Sequence, residues 1–165
     1  MAHAPENSPE LRQYRPEAPG PALGIDEELI KRLVDAFYEK VRADPALAPL
    51  FDAAIPADKW PIHLAKMYDF WSSVALMSGR YKGKPVQVHA VLPGIGDAHF
   101  ARWLDLFRQT AHETCPPQAA AFFMDRALRI AQSLRLGIAF QQGKNTLSVP
   151  PVEALINQRD EGRRP

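Results

Sequence analysis

The sequence predicts an all-α fold of four substantial helices with short connections between them. Two observations support this prediction. Between residues 25 and 143, apolar residues recur at helical spacing in four long stretches, and proline or glycine interrupts the chain between those stretches. One stretch, residues 86–92, alternates like a strand, but the compact segment contains no partner strand for it. We therefore expect a short helix or an extended hinge there.

The first helix is predicted to begin after Asp26, which opens a run of three acidic residues. Acidic side chains are favoured at that position because the helix dipole places positive charge at the N-terminus. Apolar residues then repeat at four-residue intervals, as Leu33 and Phe37 do. Asp44 ends the helix, because a residue that precedes proline is driven out of the helical conformation. A short turn is expected over residues 46–51.

The second helix is predicted to begin near residues 56–58 and to end at Ser78. Its apolar side chains form a wide stripe at helical spacing, and His63 borders that stripe. The stripe consists of Trp60, Leu64, Met67, Phe70, Trp71 and Val74. Two glycines mark residues 79–85 as a loop.

Two further helices complete the predicted core. The third begins at about Asp97, which we expect to be its N-cap, and runs to Glu113. The fourth runs from about Gln118 to Phe140, and Gly143 is expected to stop it. Both helices carry apolar residues, several of them aromatic, on one face.

The predicted core spans residues 25–143 and is flanked by two segments of different character. Five of the 16 prolines lie in the first 21 residues, which lack apolar periodicity. Residues 1–24 are therefore expected to form a flexible, proline-rich arm. Residues 144–165 are expected to form a flexible tail, in which a short helix near residues 152–158 would lie outside the core.

Composition excludes several classes of protein. Lys and Arg number 20 and Asp and Glu 19, a formal charge of +1 that argues against a nucleic-acid or anionic-membrane binder. The single cysteine, Cys115, permits neither an intrachain disulfide nor a cysteine zinc cluster. No apolar run approaches the ~18 residues of a membrane span, and the first residues do not resemble a signal peptide. We expect a cytoplasmic protein.

Four side chains with polar atoms fall on or beside apolar faces, where they are informative. They are Tyr38, His63, His89 and Trp103. Taken singly, each is more often a core residue whose polar atom finds a local partner. Taken together, two histidines on separate elements could face one space. An imidazole on one side of that space and polar donors on the other are what a haem iron requires.

Aromatic rings would line the same space, and basic side chains would meet the haem propionates at its mouth. The aromatic candidates are Phe70, Trp71 and Phe107, and the basic candidates are Arg80, Lys82 and Lys84. We interpret His99 and His112 as surface residues of the third helix. A helical protein without a cofactor could also contain such a set of side chains.

Five stretches of the sequence, in their order and spacing, carry a more specific signal. They are LVDAFYEKVRADPALAPLF (33–51), HLAKMYDFWSS (63–73), GRYKGKPVQVHAVLP (79–93), HFARWLDLF (99–107) and ALRIAQSL (127–134). Together they resemble the truncated haemoglobins, specifically the third group of that family. The resemblance covers about residues 25–142. It implies a shortened globin fold, in which a two-over-two helical sandwich surrounds haem b.

The resemblance also implies roles for individual residues. His89 matches the proximal histidine that binds the iron. Tyr38 matches the distal tyrosine that hydrogen-bonds a bound ligand, and Trp103 matches the distal tryptophan whose N–H faces that ligand. His63 matches the distal histidine, which either gates or polarises the pocket. The residues expected to contact the cofactor are Phe51, Met67, Phe70, Trp71, Arg80, Tyr81, His89 and Phe107.

The function that this implies is binding of O2, CO or NO at a haem iron. Two good donors, from Tyr38 and Trp103, would slow oxygen loss by about two to three orders of magnitude. Such retention suits ligand capture or redox chemistry with peroxide or nitric oxide better than bulk oxygen transport. A peroxidase-like or nitric oxide dioxygenase-like activity, fed by an unidentified reductase, stays open. We expect a monomer with no nucleic-acid or membrane partner.

Two alternatives come from other classes of protein. In the first, His63 and His89 hold a non-haem metal together with Asp69 or Asp97, since two histidines and one carboxylate suit iron. Asp69, however, lies about 120° around the helix from His63, off the shared face. In the second, the chain is a cofactor-free helical interaction module whose aromatic stripes are ordinary core.

Overall fold

The computed structural model describes residues 15–90 and 94–161. These residues form seven α-helices and no strand, which confirms the all-α prediction. The helices are α1 (Glu27–Ala43), α2 (Ala48–Ala54), α3 (Trp60–Leu76), α4 (Pro85–Ala90), α5 (Asp97–Thr114), α6 (Pro117–Gln141) and α7 (Glu153–Glu161). Within the described ranges, no helix is both long and apolar enough to cross a membrane.

The helices pack in two pairs. α1 contacts α3, and α5 contacts α6, while a further contact between α1 and α5 joins the pairs. The short helix α4 packs against α6. This arrangement is the two-over-two sandwich that the family resemblance implied. It leaves space between the pairs, bounded by α4 on one side.

α1 shows how the sequence sets the limits of a helix. The Asp26 carboxylate accepts the Leu29 N–H at 2.8 Å and caps the N-terminus, as an N-cap aspartate does. At the other end, Asp44 accepts the N–H groups of Ala46 and Leu47 and the Arg102 Nε–H at 2.6 Å. The chain therefore turns directly from α1 into α2.

The structure corrects the prediction of a simple turn at residues 46–51. That segment instead leads into α2, which has Pro49 in its first turn, where the missing N–H costs nothing. Seven residues are too few to show a helical period in the sequence, so the helix was not predicted. α2 matters for the site because it carries Phe51.

The start of α5 also differs from the prediction. Gly96, not Asp97, is the N-cap. The Asp97 carboxylate instead receives the Arg135 Nε–H at 2.9 Å and a terminal guanidinium N–H at 3.1 Å. Arg135 also donates to the Pro150 carbonyl oxygen at 2.8 Å. Its side chain is 2 % exposed.

Both flanking segments pack onto the helices where they are described. Val152 lies in the core, 1 % exposed, and α7 contacts α5, although the sequence suggested a tail outside the core. In the predicted arm, the Gly20 N–H donates to the Ala75 carbonyl at 2.8 Å. A Cβ at Gly20 would lie 2.6 Å from that oxygen, so glycine is needed for this close approach. Residues 1–14, 91–93 and 162–165, which belong to the predicted arm, hinge and tail, lie outside the described residues.

Candidate functional site

A cavity of about 230 Å³ lies between the two helix pairs. It is well above the ~150 Å³ of an engineered void that admits a benzene ring, and its wall is mainly aliphatic and aromatic. The lining side chains that carry a hydroxyl, imidazole or indole group are Tyr38, His63, Trp71, His89, His99 and Trp103. An apolar cavity with a few convergent polar groups is the usual form of a small-molecule site.

Eight of the residues predicted for the site line this cavity. They are Tyr38, Phe51, His63, Met67, Phe70, Trp71, His89 and Trp103. Helical spacing brings several of them to the same wall: His63, Met67 and Phe70 stand four and three residues apart on α3 and so share one face. Three predicted residues, Arg80, Tyr81 and Phe107, do not line the cavity.

His89 is oriented by the first turn of its own helix. Its Nδ1 lies 2.7 Å from the Pro85 carbonyl oxygen. A carbonyl oxygen only accepts hydrogen bonds, so Nδ1 carries the proton and donates it. In the neutral ring, Nε2 then keeps its lone pair, and an imidazole held in this way is a ready metal ligand.

His63 occupies an aromatic corner of the cavity. Its ring meets the Tyr38 ring edge-on, with centroids 5.1 Å apart, and the Trp60 ring at 5.5 Å. Burial, with smaller effects from the positive charges of His89 and Lys66, lowers its pKa to about 4. The ring is therefore neutral at neutral pH. Its Nε2 is buried and has no hydrogen-bond partner among the described residues.

Tyr38 and Trp103 both line the cavity and carry hydrogen-bond donors. Tyr38 is 7 % exposed, and burial raises the pKa of its hydroxyl, which stays protonated and able to donate. The Trp103 ring stacks on Phe107, with centroids 5.6 Å apart, and Phe107 stacks in turn on Trp71 at 5.3 Å. Phe107 therefore lies behind the cavity wall and supports two of the rings that form it.

The basic loop is held away from the cavity. Arg80 donates to Glu27 at 2.9 Å and to Asp69 at 3.0 Å, which ties the loop to α1 and α3. The Tyr81 ring packs edge-on against Phe70, with centroids 5.1 Å apart. Both residues contact the C-terminal half of α3, at Asp69 and Phe70, so they support the lining residue Phe70 from outside.

The alternative of a non-haem metal site finds no support in this geometry. Within residues 15–90 and 94–161, no three His, Cys, Asp or Glu side chains come together in a way that could hold a metal ion. Asp69 is engaged by Arg80, and Asp97 is engaged by Arg135. Neither carboxylate joins the two histidines.

Sequence reasoning missed His99, which it assigned to the surface. His99 is half-buried and lines the cavity. A signal was available: His99 precedes Trp103 by four residues on α5, and residues at that spacing share a helix face. Trp60, which packs against His63, was assigned only to an apolar stripe.

Comparison with known families identifies the fold. Residues 21–133 match the family described as bacterial-like globin. The chain belongs to the bacterial-like globin family. Membership of a globin family implies that the chain binds haem.

Group 3 truncated haemoglobin of Campylobacter jejuni is similar to this globin in sequence and in structure. A group 3 truncated haemoglobin is 36 % identical over 109 residues, which are 65 % of this chain and 86 % of that protein. The crystal structure of a group III truncated haemoglobin superposes with a TM-score of 0.64 and 32 % identity, covering 76 % of this chain and 96 % of the other. The resemblance stated from the sequence is confirmed.

The cavity of this globin has the features that haem requires. The wall is mainly apolar, and the His89 imidazole on it keeps a free lone pair on Nε2. Val88, beside it on α4, lines the cavity and is 58 % exposed, so a large apolar ligand would cover it. The unpartnered Nε2 of His63 provides a polar atom for a ligand to contact.

Proposed function

We propose that this globin binds haem b through His89 and holds a diatomic ligand beside Tyr38, His63 and Trp103. The observation that carries the proposal is the hydrogen bond between His89 Nδ1 and the Pro85 carbonyl oxygen. This bond leaves Nε2 free on the wall of an apolar cavity whose other polar groups include three of the predicted distal residues. Haem supplies an iron atom that binds O2, CO or NO.

The other residues predicted to contact haem fall into two groups, one on the cavity wall and one outside it. Phe51, Met67, Phe70 and Trp71 line the cavity and would pack against the haem ring. Arg80, Tyr81 and Phe107 act through other residues, because they lie outside the cavity wall. Their proposed role is to fix the lining side chains in place.

The distal side chains of this chain would act on the ligand as neutral groups. Tyr38 keeps its proton because burial raises its pKa, and Trp103 has only an N–H to offer. Both therefore donate hydrogen bonds to a ligand that carries partial negative charge. His63 stays neutral at neutral pH, so it stabilises or gates the ligand without adding a positive charge.

We infer from these donors that the globin retains its ligand and serves ligand capture or redox chemistry with peroxide or nitric oxide, not bulk transport. Redox turnover needs electrons, for which we propose a reductase as partner. We further propose a cytoplasmic location, which the single cysteine supports, and a monomeric state.

The first test is the visible absorption spectrum of the protein mixed with haemin and reduced under CO. The parent and His112→Ala, a control histidine on the exposed side of α5, should both give a sharp Soret band. His89→Ala should give a weakened or shifted band, because the iron loses its imidazole. An unaltered band in His89→Ala would contradict the assignment of His89, and no specific band in the parent would contradict haem binding.

A further inference from the structure

His99 is the polar group of the cavity wall that the proposed function leaves without a role. It stands in the first turn of α5, between Ile95 and Trp103 on the wall, and is half-buried. Its backbone N–H donates to the Gly96 carbonyl at 3.0 Å, and its Nδ1 accepts the Gly96 N–H at 3.1 Å. The side chain thus closes the N-terminus of α5, where an unpaired N–H needs a partner.

These bonds give His99 the opposite tautomer to His89. A ring nitrogen that accepts an N–H must hold a lone pair, so Nδ1 of His99 is unprotonated and the proton of the neutral ring sits on Nε2. In His89 the partner of Nδ1 is a carbonyl oxygen, which leaves the lone pair on Nε2. His99, a residue of the cavity wall, therefore offers an Nε2–H donor, and it cannot bind iron through Nε2 while its bond to Gly96 persists.

The acceptor for this donor follows from the chemistry of the cofactor. Haem carries two carboxylates, which stay near water because burial of an unpaired charge is costly. His99 is half-buried, so it reaches both the cavity and the solvent. Arg80 is one of the basic residues that the sequence offered as partners for the haem carboxylates. It is already paired with Glu27 and Asp69. Lys82 and Lys84 do not line the cavity.

We propose that His99 is a haem-binding residue whose Nε2–H donates to a carboxylate of the haem. The inference rests on the proposed function, since it assigns a partner within that same site. A hydrogen bond from a fixed donor to a carboxylate is short and strong compared with one between neutral groups. It holds the cofactor at its edge, whereas His89 holds it at the iron.

Two substitutions separate this role from the role of His99 in closing α5. In His99→Gln, the side-chain oxygen can accept the Gly96 N–H while the amide N–H donates to the carboxylate. In His99→Glu, the carboxylate can also accept the Gly96 N–H, but it repels the haem carboxylate. We expect His99→Gln to keep haem nearly as well as the parent, and His99→Glu to lose it about tenfold faster or more.

The measurement is the rate of haem transfer to excess apomyoglobin, with His112→Glu as the control for added charge on α5. The series is repeated with haem dimethyl ester, in which both carboxylates are blocked, and there the difference between the Gln and Glu variants should vanish. The proposal would be overturned if His99→Gln and His99→Glu lost haem at equal rates, or if their haem-loss rates differed as much with the ester as with haem. Either result would leave haem binding and the assignment of His89 unaffected. A parent chain whose spectrum shows no haem uptake would overturn the proposed function as well.

Discussion

At the scale of single residues, burial holds two polar groups of the cavity, Tyr38 and His63, in their neutral forms. Burial works in opposite directions on the two kinds of group: it raises the pKa of the Tyr38 hydroxyl and lowers that of the His63 imidazole. Both shifts favour the uncharged form. A hydrogen bond to a partly negative ligand then depends on donor geometry and not on the titration of a side chain near neutral pH.

Tyr38→Phe tests the most deeply buried of these donors. The substitution removes one hydroxyl and keeps the ring that packs against Phe37 and His63. A hydrogen bond to a charged acceptor is worth ~1.5–3 kcal/mol, so O2 should dissociate about ten to a hundred times faster.

The rate is measured by stopped-flow mixing of the oxygenated protein with CO. Tyr68→Phe serves as the control, because Tyr68 does not line the cavity and its hydroxyl donates to Asp35, so its rate should match the parent. An unchanged rate in Tyr38→Phe would remove that residue from the proposed role.

At the scale of helices, the sequence predicted the long elements closely. Among the short ones it suggested α4 and α7, but it missed α2 and the packing of α7. The predicted limits of α1, α3, α5 and α6 agree with the structure to within a few residues, because each is long enough to repeat an apolar stripe several times. α2 and α7 are too short for that. Helix α7 also depends on a contact with α5, which no local pattern encodes.

The junction of α1 and α2 predicts a pH-dependent contribution to stability. Burial opposes ionisation of Asp44, but hydrogen bonds from Arg102, Leu47 and Ala46 outweigh it and lower its pKa below 3.8. Asp44→Ala should therefore cost about 1–3 kcal/mol of unfolding free energy at neutral pH. Because the folded pKa is depressed, this contribution is fully present above the unfolded pKa and is lost as the pH falls through the folded value.

Urea denaturation at neutral pH and on either side of pH 3.8 measures this effect. The difference in unfolding free energy between the parent and Asp44→Ala should become smaller only below pH 3.8. Asp52→Ala, an exposed aspartate on α2, should show little difference at any pH. If Asp44→Ala lost the same unfolding free energy at every acidic pH, the ionised Asp44 carboxylate would not be the source of the stabilisation.

At the scale of the whole molecule, the site depends on contacts between residues far apart in the chain. Histidine, tyrosine and tryptophan candidates could be predicted because helical spacing and family resemblance both mark them. The pairing of Arg80 with Glu27 joins residues 53 positions apart, and nothing in the local sequence indicates it. The same holds for Arg135, which joins α6 to α5 and to Pro150.

The Arg135–Asp97 pair predicts an asymmetry between its two partners. Asp97→Ala leaves the buried guanidinium without its carboxylate, and losing one partner of a buried pair costs about 3–5 kcal/mol. Arg135→Met removes the buried charge itself, and Asp97, at 57 % exposure, can be hydrated by solvent. We therefore expect Asp97→Ala to be the more destabilising substitution.

Unfolding free energies measured by urea titration show which of Asp97→Ala and Arg135→Met is the more destabilising. Asp125→Ala breaks a pair in which both side chains are more than half exposed, and should change stability by less than ~1 kcal/mol. If Arg135→Met proved as costly as Asp97→Ala or more so, the burial of the guanidinium would not be the dominant effect.

The hydrogen bonds of Arg135 to Asp97 and Pro150 also affect where this chain can be truncated. The family match ends at residue 133, inside α6, whereas Leu134 still lines the cavity and Ile138 and Val152 still lie in the core. A fragment trimmed to the matched stretch would lose the last two turns of a principal helix together with the guanidinium that anchors α5. The packed core thus extends past the end of the family match, at least as far as Val152.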